Sequence, residues 1–189
     1  MDKICHFANH PYLCKGLKIM KNYFELFALE ADFAINLKAL EQAYQAQIAQ
    51  YHPDKFATQS DKEKSLALQN TSLINSAFDT LSSPLLRATY LLELQGINAF
   101  DEKDTQMDAS FLINQITLRE SLEAIENAQD ELALDNFIEE ITDKTKQNIE
   151  KIQSLFALNE FETIRNLVRE LKFYTQLNTQ AKQLMDEWL

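Results

Sequence analysis

The apolar positions along this chain follow a helical spacing almost throughout. In the first half, this spacing predicts a short apolar helix over 22–29 and two longer helices over about 37–51 and 61–81. Another helix is predicted to begin at Pro84 and to end at Gly96, because glycine suits the position that follows a helix. Since β-branched runs are also scarce, we expect an all-α protein.

Capping residues mark the starts of these helices. Asn36 can cap the first long helix, and Ser60 with Glu63 forms the pattern of a capping box before the second. Ser83 precedes Pro84, which is a favourable residue at the first helical position. The residues expected to face inward from the two long helices are Leu37, Leu40, Tyr44, Ile48, Tyr51, Leu66, Leu73, Ile74, Ala77, Phe78 and Leu81.

The second half of the chain predicts three more helices, over about 109–127, 131–157 and 160–188. Their short connections favour antiparallel neighbours and hence a three-helix bundle. Residues 95–108 have few periodic apolar positions, so we interpret them as a linker. The inward stripes of the last two helices are Leu134, Ile138, Ile141, Ile149, Ile152, Phe156, Ile164, Leu167, Leu171, Tyr174 and Ala181.

The net charge of the chain argues against some classes of binding partner. The 189 residues have a net charge of −11, which argues against sequence-independent binding to nucleic acid or to anionic lipid. No apolar run approaches the length of a membrane span, and we find no secretory signal. The 2 cysteines therefore indicate a reducing compartment without a disulfide framework, and we expect a cytoplasmic protein.

Residues 1–19 precede the helical pattern. They contain four potential nitrogen and sulfur ligands for a metal such as zinc, namely Cys5, His6, His10 and Cys14. Because the C-x2-C spacing is absent, we expect a flexible extension rather than a metal site, or residues added by an upstream start codon.

The stretch YHPDKF forces a loop between the two long helices. Pro53 cannot continue a helix, and it pushes His52 toward an extended backbone. The loop therefore displays the His52 imidazole next to the Asp54 carboxylate. Taken alone, the tripeptide could be no more than a polar helix stop. A catalytic His–Asp pair is a further alternative, although we see no nucleophile, metal cluster or phosphate-binding loop to complete it.

In this context the sequence resembles a known family. YHPDKF between two helices, followed by INSAFDTLSSPLLRATYLL at 74–92, is similar to a J-domain. FLINQITLRESLEAIENAQDELALDNFI at 111–138 and RELKFYTQL at 169–177 resemble the C-terminal domain of the HscB family. Its members are J-type co-chaperones of iron–sulfur cluster assembly. The resemblance covers about residues 20–189.

The resemblance implies an L-shaped protein with a J-domain over 20–94 and a C-terminal bundle over 109–189. It implies that His52, Pro53 and Asp54, with Lys55 beside them, dock on a DnaK-type chaperone, HscA, and stimulate its ATPase. The protein would then regulate an enzyme without being one, and it would need no cofactor. A generic J-domain adaptor that delivers another client is the alternative.

One helix departs from the family. The helix before the tripeptide usually carries basic residues that meet an acidic chaperone surface. Here glutamines occupy positions 42, 45, 47 and 50, and only Lys38 and Lys55 bracket them. We therefore expect weaker electrostatic steering of the encounter.

The helix predicted over 109–127 has apolar residues on two opposite faces. Phe111, Leu118, Leu122 and Ile125 share the first face, and Leu112, Ile113 and Ile116 share the second with Glu120 beside them. A three-helix bundle buries only one face of each helix. The second face would either pack against the J-domain or form an exposed protein-binding patch.

The resemblance favours the exposed patch. In the HscB family this surface binds IscU, the scaffold on which iron–sulfur clusters form. The positions that match the family's contact residues are Leu112, Ile113, Ile116, Glu120 and Phe173. Thr117 and Ala124 depart from acidic residues that are common in the family, which weakens the polar rim and keeps the apolar centre.

Overall fold

The computed structural model describes residues 22–101 and 109–188 and shows helices without strands over those ranges, which confirms the all-α class. Residues 1–19 and the second half of the predicted linker, 102–108, lie outside them. The chain divides into two compact units between Gly96 and Ile97. The helices are α1 (Tyr23–Leu26), α2 (Leu37–Tyr51), a 3-10 helix (Pro53–Phe56), α3 (Asp61–Ser82), α4 (Pro84–Leu94), α5 (Ala109–Ala128), α6 (Glu131–Phe156) and α7 (Phe161–Trp188).

The predicted caps begin the helices of the first unit. The Asn36 Oδ1 atom accepts the Ala39 N–H at 3.1 Å at the start of α2. At the start of α3, the Ser60 Oγ atom accepts the Glu63 N–H, and the Glu63 carboxylate accepts the Ser60 N–H at 3.0 Å. This completes the capping box, whose hydrogen bonds lower the pKa of the Glu63 carboxyl.

Gly96 ends α4 as the sequence predicts. Its φ of +77° lies in the left-handed region, and its N–H donates to the Glu93 carbonyl at 2.9 Å. Glycine adopts this backbone without the clash that a Cβ atom would cause. The helix therefore closes where the first unit ends.

The two long helices of the first unit pack along their predicted stripes. The Tyr44 ring on α2 stacks on Phe78 of α3, with centroids 4.2 Å apart, and its hydroxyl donates to Asn75 at 3.1 Å. Leu40 is fully buried. The sequence pattern predicts Leu37 in the same stripe, but this residue is exposed. It is the first residue of α2, so the buried stripe begins one turn later.

The short helix α1 is fixed to the rest of the first unit by polar contacts as well as packing. The Tyr23 ring stacks on Tyr90 of α4 at 4.7 Å, and the Tyr23 N–H donates to the Tyr90 hydroxyl at 3.0 Å. The Gln47 amide of α2 donates to the Leu26 carbonyl at 3.2 Å. A four-residue helix is not stable alone, so these contacts hold it in place.

In the second unit, α6 and α7 run antiparallel. Asn148 donates to Glu170, and Asn178 donates to Thr142, each at 3.3 Å, so residues further along α6 meet residues earlier on α7. The core of the unit takes residues from all three of its helices: Phe111, Leu118, Leu134, Phe137, Ile141, Phe173, Tyr174, Leu177 and Ala181.

The residues just after Gly96 pack on α7. Ala99 is fully buried, and its carbonyl accepts the Arg169 Nε–H at 2.7 Å. The Lys172 ammonium lies 4.3 Å from the centre of the Phe100 ring. Residues 97–101, which the sequence pattern predicts to be part of a linker, therefore contribute to the second unit.

Within residues 22–101 and 109–188, none of the helices is both long and apolar enough to cross a membrane.

Candidate functional site

The turn at residues 52–56 joins the two long helices of the first unit. α2 ends at Tyr51, whose carbonyl accepts the Thr71 hydroxyl of α3 at 3.0 Å. Pro53 then begins a single turn of 3-10 helix that ends at Phe56. The end of α2 is therefore held against α3 at the residue where the turn begins.

Hydrogen bonds within the turn hold its backbone. The His52 Nδ1 atom accepts the Asp54 N–H at 3.3 Å, and the His52 carbonyl accepts the Lys55 N–H at 3.0 Å. The Asp54 side chain is 91% exposed, and its Oδ2 atom lies 3.6 Å from the His52 Nδ1 atom. The turn thus displays a carboxylate to solvent on a backbone that is already ordered.

Within residues 22–101 and 109–188, the turn has no neighbouring side chains that would complete a metal site. Over the described residues, no group of three or more His, Cys, Asp and Glu side chains could hold a metal ion. The weak metal candidates Cys5, His6, His10 and Cys14 lie outside the described residues.

The glutamines of α2 present a neutral surface beside this turn. Gln42, Gln45 and Gln50 are exposed, whereas Gln47 is half-buried against α1. Lys38 and Lys55 are exposed at either side of them. The glutamines that stand in place of the family's basic residues therefore lie mainly on the solvent-exposed side of α2.

In the second unit, aromatic residues fix the first half of α5. The Phe111 ring meets Phe173 of α7 edge-on at 5.7 Å and lies 6.0 Å from the Tyr174 ring. The Asn114 amide donates to the Tyr174 hydroxyl at 3.3 Å. Burial raises the pKa of this hydroxyl, and the charge of Glu170 adds to the rise. These contacts determine which side of α5 faces away from α7.

The outward side of α5 is apolar. Leu112, Ile113 and Ile116 are 43%, 66% and 58% exposed, and we call these three residues the α5 apolar face. Glu120 is also exposed and follows Ile116 by one helical turn. Adjacent exposed apolar side chains of this size are typical of a protein-binding surface.

Phe173 does not share this surface. It is only 6% exposed, because the Phe111 ring packs on its side and the Arg119 guanidinium lies over it, 5.5 Å from the ring centre. The structure therefore brings four of the five predicted residues together on α5 and places Phe173 in the core. The sequence pattern does not single out Arg119, although it is a basic residue three positions after Ile116.

Comparisons with known proteins agree with this architecture. A family model described as the HSCB C-terminal oligomerisation domain matches residues 107–182. Among solved structures, the chain is similar to chaperone HscB from Vibrio cholerae, with 36% identity and a TM-score of 0.79 over 89% of this chain and 99% of that chain.

Two further structures extend the comparison. Human co-chaperone protein HscB is 27% identical, with a TM-score of 0.82 over 89% of this chain and 84% of that chain. The Jac1 co-chaperone from Saccharomyces cerevisiae shares the fold at 19% identity, with a TM-score of 0.72 over 86% of this chain and 96% of that chain. The chain therefore belongs to the HscB family of co-chaperones.

Proposed function

We propose that this protein is a cytoplasmic J-type co-chaperone that stimulates the ATPase of a DnaK-type chaperone, HscA, and delivers the iron–sulfur scaffold IscU to it. The observation that carries the proposal is the exposed Asp54 carboxylate on an ordered turn between two antiparallel helices. Membership of the HscB family supports the choice of partners.

In this proposal the turn over residues 52–55 acts as a docking element. The Asp54 carboxylate can pair with an arginine of the chaperone through two hydrogen bonds. The turn is already ordered by His52 and Pro53, so docking costs little conformational entropy. The hydrolysis belongs to the chaperone, whose conformational equilibrium this protein shifts.

The α5 apolar face is the proposed binding site for IscU. Its three side chains would form the dry centre of the interface, and Glu120 would belong to the polar rim. The buried Phe173 ring would contribute to this site indirectly, because its contact with Phe111 holds α5 in place. A chain that binds both proteins raises the effective concentration of the scaffold at the chaperone.

The first test is the ATPase rate of purified HscA with this protein. We expect Asp54→Asn to remove the stimulation, because the neutral amide cannot pair with an arginine in the same way. Asp61→Asn is the matched control, since Asp61 is also an exposed aspartate near the turn. Stimulation that survives Asp54→Asn would contradict the docking role of the turn.

The second test adds IscU to the same assay. We expect Leu112→Asp to remove the part of the stimulation that depends on IscU, because a carboxylate cannot be buried in an apolar interface without a partner. Leu158→Asp is the control, since Leu158 is 67% exposed and lies outside α5. Stimulation that ignores IscU and Leu112 would instead indicate a generic adaptor for another client.

The melting temperature of Leu112→Asp tests whether Leu112 contacts only a partner or also packs within the protein. If Leu112 contacts only a partner, the Leu112→Asp protein should unfold at a temperature close to that of Leu158→Asp. A large loss of stability would favour the alternative in which this face packs within the protein.

A further inference from the structure

The last carbonyl of α2 has no hydrogen-bond partner within its own helix. In a continuous helix the Tyr51 carbonyl would accept the Lys55 N–H four residues further on. Here the Lys55 N–H donates to the His52 carbonyl at 3.0 Å, because the chain tightens into the 3-10 turn at Pro53. The Thr71 hydroxyl of α3 donates to the Tyr51 carbonyl in its place, at 3.0 Å. A side chain 20 residues further along the chain therefore satisfies the end of α2.

This bond differs from the one that a threonine in a helix commonly makes. A helical threonine can donate its hydroxyl to the carbonyl four residues earlier in its own helix. That local bond forms at Thr80, Thr89, Thr145, Thr175 and Thr179. Thr71 instead donates to another helix, and both Thr71 and Tyr51 are half-buried. Its hydroxyl therefore links α2 and α3 at the residue where the turn begins.

The bond also fixes the direction in which the chain enters the turn. A peptide group is planar, so holding the Tyr51 oxygen also holds the N–H and the Cα atom of His52. His52 then orders the turn, since its Nδ1 atom accepts the Asp54 N–H at 3.3 Å and its carbonyl accepts the Lys55 N–H. A chain of contacts therefore runs from the Thr71 hydroxyl to the residue whose carboxylate is 91% exposed.

We propose that Thr71 is a positioning residue for chaperone docking, and that its hydroxyl keeps the turn over residues 52–55 in the conformation that docks. This inference rests on the proposed function, because it concerns the same turn and the same partner. Without the hydroxyl, the turn samples other conformations, and the apparent affinity falls with the fraction of molecules in the docking conformation. A higher concentration of the protein compensates for this loss, so the maximal stimulation is unchanged.

The test is the ATPase rate of purified HscA, measured against the concentration of the full-length protein. Thr71→Val keeps the branched shape but loses the hydroxyl. We expect it to raise the concentration that gives half of the maximal stimulation about fivefold, at an unchanged maximal rate. Thr71→Ser keeps the hydroxyl and should stay close to the wild type. Thr89→Val is the matched control, because Thr89 is a half-buried threonine of the same unit whose hydroxyl donates to Leu85 within α4.

Amide hydrogen exchange separates the order of the turn from general stability. The Lys55 amide should exchange faster in Thr71→Val, because its acceptor on His52 is no longer held in place. It should exchange at the wild-type rate in Thr89→Val, even if that variant is less stable. Thr71→Ala also lacks the hydroxyl and should behave like Thr71→Val in both measurements, which keeps the test decisive if the valine variant does not fold.

The role of Thr71 and the proposed function fail in different ways. If Asp54→Asn removes the stimulation but the Thr71 variants match the wild type, the docking turn stands and only the role of Thr71 is overturned. An equal effect of Thr89→Val, or a lower maximal rate at an unchanged half-maximal concentration, would also overturn that role. If the wild-type protein does not stimulate HscA, both the proposed function and the role of Thr71 are overturned.

Discussion

Among single residues, Glu93 shows how burial acts on a titratable group. It lies in the last turn of α4, near the stacked rings of Tyr23 and Tyr90. Burial raises the pKa of the Glu93 carboxyl, and burial is also the main reason that the pKa of Tyr90 rises to about 12. A carboxylate at the C-terminal end of a helix is unfavourable for the helix dipole as well. The charged form of Glu93 therefore costs stability.

This cost predicts a stabilising substitution. The folded protein holds the Glu93 proton more tightly than the unfolded chain, so the cost is complete above the raised pKa and vanishes below the ordinary glutamate pKa of about 4.3. Glu93→Gln should therefore raise the unfolding midpoint at pH 7 and change it little at pH 4. Thermal unfolding followed by circular dichroism across this range measures the effect.

Glu126→Gln provides the control, because Glu126 also lies in the last turn of a helix but is exposed. Both variants remove a negative charge from the C-terminal end of a helix, but only the Glu93 side chain is also partly buried. Equal effects from both would show that burial of Glu93 is not the cause.

At the scale of whole helices, α2 has one side that packs in the first unit and one exposed side that departs from the family pattern. Tyr44 and Leu40 attach it to the core of the first unit, as the sequence pattern predicts. Its exposed glutamines leave the surface next to the turn without charge. If the chaperone surface is acidic, encounter by diffusion should be slower than for a basic helix, while the docked turn is unaffected.

Restoring positive charge on α2 should therefore accelerate association. We expect Gln42→Lys with Gln45→Lys to raise the association rate with HscA several-fold at low salt and to lose this advantage at high salt. Gln47 is left unchanged because it bonds to α1. Stopped-flow or surface-based kinetics would measure the rates.

The matched control adds the same charge elsewhere. Gln153→Lys with Gln176→Lys places two lysines on exposed positions of the second unit. An equal acceleration from this control would mean that net charge alone matters, and that α2 has no special role in the encounter.

In the whole molecule, the two compact units have separate sets of core residues. Leu40 is fully buried in the first unit, and the aromatic and aliphatic cluster around Phe111 fills the second. Trp188, the only tryptophan of the chain, packs against that second cluster. Its fluorescence therefore reports on the second unit, whereas circular dichroism reports on both.

The separate cores predict that the units unfold independently. Leu40→Ala should lower the stability of the first unit by about 3 kcal/mol, because it leaves a cavity in that core. The Trp188 transition in urea should keep its midpoint while the circular dichroism transition splits into two. A shared shift of both signals would show that the units unfold together.

The sequence by itself determined the features that depend on local chemistry. The helix starts at Asn36, Ser60 and Ser83 and the close of α4 at Gly96 follow from side chains and backbone within a few residues, so the pattern predicted them. The turn at His52 is equally local, since Pro53 ends α2 wherever the rest of the chain lies.

Only the tertiary structure decided which side chains of these helices are covered. Leu37 lies on a predicted apolar stripe but is exposed at the start of α2, whereas Phe173 was predicted to contact a partner but is buried. The Arg119 guanidinium lies over the ring of Phe173, a residue 54 positions away that α7 brings beneath it. The physical reason is that helical periodicity determines which residues share a side, whereas burial depends on the neighbouring helix and its side chains.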